Sequence, residues 1–129
     1  MTTPDRVRFL DHKGKRMLLV DQSSLSREEV MQVLNATRLL VAKQPPGRTL
    51  LVMVDVRGSR FNPDSIAESK RVATANEPWV LATATVGMDR LGAIMLKQVY
   101  SAAKRTFENF KTPEEAKDWL VQQQPPPAS

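Results

Sequence analysis

The chain has 129 residues, of which 41% are hydrophobic, with a net charge of +5, one histidine and no cysteine. This length fits one domain with its own core, and the lack of thiols excludes a disulfide framework and thiolate chemistry. Residues 1–9 contain no apolar leader, and no apolar run approaches the ~20 residues that span a bilayer, so we expect a soluble, cytoplasmic protein without membrane insertion.

The positive charge permits a nucleic-acid partner, but its distribution argues against one. Basic residues alternate with acidic ones in segments 26–30, 63–71 and 112–119. Aromatic residues make up 5% of the chain, too few for a surface on which single strands stack. We therefore expect a mixed-charge surface and no nucleic-acid binding.

The first part of the chain predicts a β-hairpin followed by a helix. Residues 7–11 and 16–23 have strand character on either side of a turn signal at Gly14. Ser26 and Glu29 form a capping box that starts the helix, and the segment "QPPG" ends it. One face of this helix is apolar, at Val30, Val33, Leu34, Thr37, Leu40 and Val41.

The middle of the chain alternates strands and helices. The segment "TLLVMVDV" is almost entirely apolar, which is typical of a central parallel strand buried on both faces. Asn62 is expected to cap the next helix, with Pro63 at its first position, and that helix ends near Asn76. The segment "WVLATATVG" predicts the fourth strand.

The last part of the chain predicts two helices and an edge strand. Asp89 is expected to cap a helix over residues 90–106, and residues 107–111 form the strand. Thr112, with Pro113 and Glu115 after it, starts the final helix with a second capping box. We assign the apolar stripe of the third helix to the core, namely Leu91, Ile94, Met95, Val99 and Ala103. Ala116, Trp119 and Leu120 are expected to dock the final helix.

The element order ββαβαβαβα predicts an α/β fold with a single open mixed β-sheet. The sheet is mostly parallel, with an antiparallel hairpin at the N-terminus. We expect one domain over residues 1–121 and a disordered, proline- and glutamine-rich tail over residues 122–129.

Loops that leave the carboxyl ends of parallel strands meet at one edge of a sheet, where ligands tend to bind. Here these are segments 22–26, 57–62 and 87–90, and we call the surface they form the rim. Its predicted site residues are Ser23, Ser24, Arg57, Ser59, Arg60, Asn62, Asp89 and Arg90. Because helix starts expose free N–H groups, the rim is a candidate site for a protein partner or a small anion. The simpler explanation is that such loops are polar in any case and that these residues are ordinary caps.

Catalytic sets are missing from the sequence. His12 precedes the hairpin turn, far from the rim, and is expected to be a surface residue. No nucleophile–base pair is apparent, and Asp55, Asp64 and Asp89 do not have the spacing of a metal site. No phosphate-binding glycine loop is present. We expect no catalytic residue, no metal and no cofactor.

The segment "VMVDVRGSRFNPDSI" at residues 52–66 resembles the STAS domain superfamily, the SpoIIAA-like anti-sigma-factor antagonists and their relatives. Asp55, Gly58 and Phe61 match the strand-end aspartate, the turn and the apolar anchor of that pattern. Ser65 falls on the serine that is phosphorylated in the antagonists, so the resemblance makes it a candidate phosphorylation site. Its alternative role is that of an ordinary residue in the first helical turn.

The end of the motif departs from the family pattern. Pro63 stands in place of an aspartate, Asp64 in place of the first serine, and Ile66 in place of the glycine. The segments "KGKRMLLVDQSSLS", "NEPWVLATATVG" and "FENFKTPEEAKDWL" resemble the uncharacterised bacterial STAS-like branch more than a true antagonist.

The resemblance implies a non-enzymatic protein–protein interaction module in bacterial signalling or regulation, acting through the rim and the start of the second helix. The alternative is a module of the same fold that binds a small ligand, a lipid or a nucleotide, since the superfamily is similar to CRAL-TRIO lipid-binding domains. The sequence does not identify the partner.

Overall fold

A five-stranded sheet flanked by four helices makes up the described part of the protein, as seen in a computed structural model. The structure describes residues 6–45, 47, 49–58, 63–102 and 106–124; for residues 63, 65, 66 and 99–102 it describes the backbone. The elements, in chain order, are β1 (Val7–His12), β2 (Lys15–Asp21), α1 (Arg27–Ala42), β3 (Leu50–Asp55), α2 (Pro63–Asn76), β4 (Val80–Val86), α3 (Arg90–Ala102), β5 (Thr106–Phe110) and α4 (Pro113–Val121).

The strands lie side by side in chain order, β1-β2-β3-β4-β5. β1 pairs with β2 in antiparallel orientation, and every other neighbouring pair is parallel. The predicted element order and mixed sheet are therefore confirmed. In the register of the sheet, Asp21 lies beside Asp55, which lies beside Val86. The carboxyl ends of β2, β3 and β4 thus share one edge.

The helices cover both faces of the sheet unequally. α1 and α2 pack on one face, where the predicted apolar face of α1 is buried through Val30, Val33 and Val41. α3 joins this layer through Leu96. Among the described elements, α4 alone covers the other face, where Ala116 and Leu120 are fully buried against β2, β3 and β4. The predicted docking of the last helix is confirmed.

The β1–β2 turn is tied to the end of the chain. Lys13 and Gly14 both have positive φ, as a tight hairpin turn of right-handed strands requires. His12, predicted to be a surface residue, is half-buried: its Nε2 lies 2.9 Å from the Asp118 carboxylate of α4. Lys13 pairs with the same carboxylate at 2.8 Å. The imidazole therefore has a structural partner that the sequence did not reveal.

The assignment of the α3 stripe to the core is wrong for its described side chains. Leu91, Ile94 and Met95 are 68%, 49% and 39% exposed. The side of α3 that packs inward carries Leu96 and Ala93, in contact with the cluster around Phe107 and Ala73. Apolar residues occur on more than one side of this helix, so periodicity alone selected the wrong face. Within the described residues, no helix is long and apolar enough to cross a bilayer.

Candidate functional site

The rim is held together by hydrogen bonds that continue the sheet beyond its strands. The Gln22 N–H donates to the Asp55 carbonyl at 2.8 Å, and the Val56 N–H donates to the Val86 carbonyl at 2.9 Å. The Gly87 N–H donates to the Phe110 carbonyl at 2.8 Å. The exits of β2, β3 and β4 therefore lie together at the expected edge, in a fixed arrangement.

Two neighbouring loops of the rim have the same local geometry, over residues 21–24 and 55–58. In each, the strand-end aspartate accepts the N–H two residues later, from Ser23 at 2.9 Å and from Arg57 at 3.1 Å. The fourth residue of each loop has positive φ, 54° at Ser24 and 72° at Gly58. A Cβ at Gly58 would lie 2.9 Å from the Ser24 Oγ, so a larger residue would have to displace that exposed hydroxyl as well as adopt a φ that favours glycine.

The Arg57 guanidinium is already engaged by its own strand end. Its Nε donates to both Asp55 oxygens, at 3.0 and 3.2 Å, and an Nη donates at 2.7 Å. The hydrogen bonds that Arg57 donates to the Asp55 carboxylate raise the pKa of Arg57 above its ordinary value, and the attraction of the same carboxylate adds to this. The Asp55 side chain is only 11% exposed, so the pair forms a fixed, neutral unit at the centre of the rim.

Two further arginines that the sequence reasoning did not select also pair with rim carboxylates. Arg6 lies 3.6 Å from the Asp21 carboxylate and donates to the Ser23 carbonyl at 3.0 Å. Arg27, at the start of α1, lies 3.6 Å from Asp64, at the start of α2. An incoming anion would compete with these carboxylates. The geometry therefore favours a mixed-charge contact surface over an anion site among the described residues.

The start of α3 is capped as predicted. The Asp89 carboxylate accepts the Gly92 N–H at 2.6 Å, so this helix start presents fewer free N–H groups than expected. Arg90 beside it is exposed, and the structure shows no ion pair for it with another described residue. Among the described rim cations, Arg90 is thus the one most accessible to a partner.

Asn109 of β5 supports this loop from the adjacent strand, and sequence reasoning missed it. Its Oδ1 accepts the Thr85 hydroxyl at 2.7 Å and the Met88 N–H at 3.2 Å. Its Nδ2 donates to the Met88 carbonyl at 3.2 Å. An asparagine at an edge-strand position, facing a loop from another strand, carries no local sequence signal that would identify it.

Part of the predicted site falls outside the described residues: Ser59, Arg60 and Asn62, together with the matching Phe61. Ser65 is described by its backbone only, which places it in the first turn of α2. Ser23 is half-buried and Ser24 is exposed. The structure therefore brings Ser23, Ser24, Arg57, Asp89 and Arg90 to one edge.

A small cavity of about 60 Å³ lies between the sheet and the α1–α2 layer. Its floor is apolar, but Asn76 and Thr37 also line it. Asn76 is only 6% exposed, and its side-chain amide makes no hydrogen bond within the described residues. A cavity of this size holds a few waters and is far smaller than the roughly 300 Å³ or more of a typical ligand pocket.

A wider, shallow groove of about 510 Å³ runs between the outer surfaces of α1 and α2. Arg38 and Arg71 line it together with Glu68, and Arg71 pairs with Glu68 at 2.8 Å. None of the predicted rim residues lines this groove or the internal cavity. The described part of the rim is therefore an open surface.

Comparison with known proteins gives structural matches only. No family model and no curated sequence matches the chain. It is similar to an uncharacterized protein of the DUF3478 family from Shewanella loihica PV-4, described as having a SpoIIAA-like fold, with a TM-score of 0.64 and 14% identity over 88% of this chain and 91% of that one. An anti-sigma-factor antagonist (STAS) domain protein from Planctomyces limnophilus aligns with a TM-score of 0.48 and 14% identity, over 89% of this chain and 97% of that one.

Proposed function

Since this chain has the SpoIIAA-like fold, we propose that it is a non-enzymatic module that binds a protein partner through the rim and the start of α2. We place it in the bacterial cytoplasm, in a signalling or regulatory system. The shared edge at which β2, β3 and β4 end supports the choice of this surface, and the contacts of the rim residues support its role.

The observation that carries this proposal is an open, polar and internally braced rim. Small-molecule sites are concave and mostly apolar, whereas Ser23, Ser24, Arg57, Asp89 and Arg90, the described site residues of the rim, line neither the internal cavity nor the groove. Its loops are fixed by the backbone bonds at Gln22, Val56 and Gly87. A surface that is ordered before binding costs less conformational entropy when a partner docks.

The charges of the rim suit a partner with charges of both signs. Arg57 is 53% exposed while it pairs with Asp55, so its remaining N–H groups face solvent and can reach a partner's carboxylate or carbonyl. Arg90 adds a cation with no described partner. Complementary charges at such a surface set specificity and association rate more than affinity.

Ser65 remains a candidate switch within this proposal. A phosphate in the first turn of α2 would add about −1.5 to −2 charges, and the helix dipole favours negative charge there. Asp64 beside it is already paired with Arg27 at 3.6 Å. Phosphorylation would thus make the charge at this end of the rim more negative, and the dipole of α2 would favour that change.

The alternative, a small-ligand, lipid or nucleotide module, has less support. The internal cavity of about 60 Å³ does not hold a lipid chain or a nucleotide. A small anionic ligand at the rim would meet Arg6, Arg27 and Arg57 already paired with carboxylates, which leaves Arg90 as the one unpaired arginine among the described rim residues. A nucleotide or inorganic phosphate at 100 times its Kd would stabilise the fold by about 2.7 kcal/mol, and we expect a thermal-shift screen to show no such gain.

We test the proposal by site-specific photocrosslinking in cells that express the protein. A crosslinking residue at position 24 or 90, on the rim, should give a discrete protein adduct, and Arg90→Glu should abolish the adduct formed from position 24. The matched control is position 43, because Lys43 is exposed at the opposite end of α1. Adducts of equal yield from positions 24 and 43, or none from the rim, would refute the proposal.

A further inference from the structure

The outer face of α3 is apolar and lacks a partner within the described chain. Leu91, Ile94 and Met95 are 68%, 49% and 39% exposed. Their i, i+3, i+4 spacing places them side by side, and we call them the α3 ridge. Only Leu39, on α1, is a comparably exposed large apolar side chain among the described residues. Clustering on one helix face distinguishes the ridge from scattered surface hydrophobics, which are ordinary.

The buried side of α3 fixes the rotation of the helix, and this keeps the ridge facing outward. Leu96 is 4% exposed and packs with Phe107, Ala73 and Met88, so α3 already has a buried apolar side. Rotation of α3 to bury the ridge would expose Leu96 instead. The ridge is therefore a stable surface feature of this fold.

Basic residues flank the ridge along one side. Arg90 and Lys97 are exposed and lie seven residues apart, which is two helical turns, so they share a side of the helix. α3 contains no acidic residue, and the Asp89 carboxylate before it is bonded to the Gly92 N–H. An apolar ridge beside two cations is complementary to a surface that carries negative charge on the outside and has an apolar layer beneath it.

We propose that the α3 ridge docks this protein on an anionic lipid surface, with α3 lying in the plane of the interface. Helices of this kind insert their apolar face just below the headgroups while Lys and Arg contact anionic lipids. The contact is peripheral and reversible, because three apolar side chains and two cations give weak anchoring. It shares Arg90 with the rim contact proposed above, but its apolar residues and Lys97 lie outside the rim, so ridge variants and rim variants test the two contacts separately.

A second copy of the chain fits the ridge less well. A stable interface buries about 800 Å² on each partner, more than three partly exposed side chains provide. Each copy also carries a net charge of +5, so two copies repel. The ridge is convex and needs no complementary groove when it enters a bilayer.

The first experiment is co-sedimentation of the full chain with vesicles of phosphatidylcholine, with and without 30–40% phosphatidylglycerol (roughly the anionic content that gives a strong surface potential). We expect binding to the anionic vesicles only, weakened by salt. Leu91→Ser with Ile94→Ser should lower the vesicle affinity about tenfold or more, and Lys97→Glu should also weaken it. Leu39→Ser is the matched control and should bind as the parent does.

The second experiment reports insertion directly and uses the absence of cysteine from the chain. An environment-sensitive fluorophore on Met95→Cys should shift to the blue on anionic vesicles, while the same label on Leu39→Cys should not. Absence of binding by the parent protein at low salt would overturn the proposal, as would equal losses in the ridge and Leu39 variants. A complex with an acidic protein that needs the ridge, without any vesicle binding, would replace the lipid surface by a protein partner.

Discussion

Asn109 shows how a single side chain fixes the geometry of the rim. It bonds the Thr85 hydroxyl of β4 and both backbone groups of Met88, at 2.7, 3.2 and 3.2 Å. Thr85 is only 2% exposed, so without Asn109 its hydroxyl would lose a partner that water cannot easily replace. The loop that leads to Asp89 and Arg90 therefore depends on a residue 20 positions away.

Asn109→Ala is expected to destabilise the fold by roughly 1–3 kcal/mol, because it leaves buried polar groups without partners. Urea denaturation measures the loss. Glu108→Ala is the matched control, since Glu108 is a half-buried neighbour in β5 whose side chain makes no hydrogen bond with another described residue. Equal losses in the two variants would show that strand propensity, and not the Asn109 network, is being measured.

Residues with local partners were predictable from sequence, and residues with distant partners were not. Ser26 with Glu29 forms the expected capping box, and Thr112 accepts the Glu115 N–H at 3.2 Å, because caps connect residues three positions apart. Arg6–Asp21 and Arg27–Asp64 join segments separated in sequence, and no spacing rule identifies such pairs. The position of the rim was thus predictable, but its charge pairing was not.

At the scale of elements, α2 is the least tightly packed helix against the sheet. Its sheet-facing positions, spaced as i, i+3, i+4, i+7, are Ser69, Val72, Ala73 and Asn76. These small side chains leave the cavity of about 60 Å³ between α2 and β3 or β4. Asn76 contributes a buried amide, which is costly without a hydrogen-bond partner. Better packing of α2, the helix that carries Ser65, should therefore stabilise the fold.

Asn76→Leu should stabilise the fold by roughly 1 kcal/mol, since it fills apolar space and removes a buried amide. The urea midpoint is the measurement. Ala75→Leu serves as control, because Ala75 is exposed on the same helix and gains no burial. A lower midpoint for Asn76→Leu would instead show that ordered water bonded to the amide contributes more than the apolar side chain.

Elements also show where periodicity is sufficient and where it is ambiguous. Apart from the exposed Leu39, α1 carries its large apolar residues mainly on one side, so its buried face was predicted correctly at Val30, Val33 and Val41. α3 has apolar residues on opposite sides, at Leu91 and at Leu96, and the sequence cannot decide which side faces the sheet. The mostly parallel, mixed sheet is a more robust prediction, because alternating strands and helices with short crossovers leave few arrangements. The resemblance to the SpoIIAA-like fold is confirmed by the match to a solved structure described as having that fold.

At the scale of the whole molecule, the N-terminal hairpin and the C-terminal helix secure each other. His12 and Lys13 contact Asp118 at 2.9 and 2.8 Å, and Lys15 donates to the Gln123 carbonyl at 3.1 Å. α4 is the one described helix on its face of the sheet, and it packs over β3 and β4. These contacts join the β1–β2 turn to the C-terminal helix, at the edge of the sheet opposite the rim.

Acid should lower the stability of the fold, because it protonates carboxylates whose pKa is lowered in the folded protein. Hydrogen bonds from Lys13 and then from His12 lower the pKa of Asp118 below its ordinary value of 3.8. The hydrogen bond from the Ser26 backbone, followed by that from its hydroxyl, lowers the pKa of Glu29 below 4.5. A carboxyl whose pKa is lowered on folding stabilises the protein above its unfolded pKa. That contribution disappears as the pH falls through the folded pKa.

We therefore expect the urea midpoint to fall between pH 5 and pH 2.5 (approximately the window around these two groups). The fall should be shallower for Asp118→Asn and for Glu29→Gln than for the parent protein. The effect per group is small, because both carboxylates are accessible to solvent, so the double variant gives the clearest reading. Asp11→Asn, at an exposed position of β1 beside the same turn, is the control and should follow the parent curve. Parallel curves for the parent and the double variant would show that these contacts, though well formed, do not contribute to the acid response of the fold.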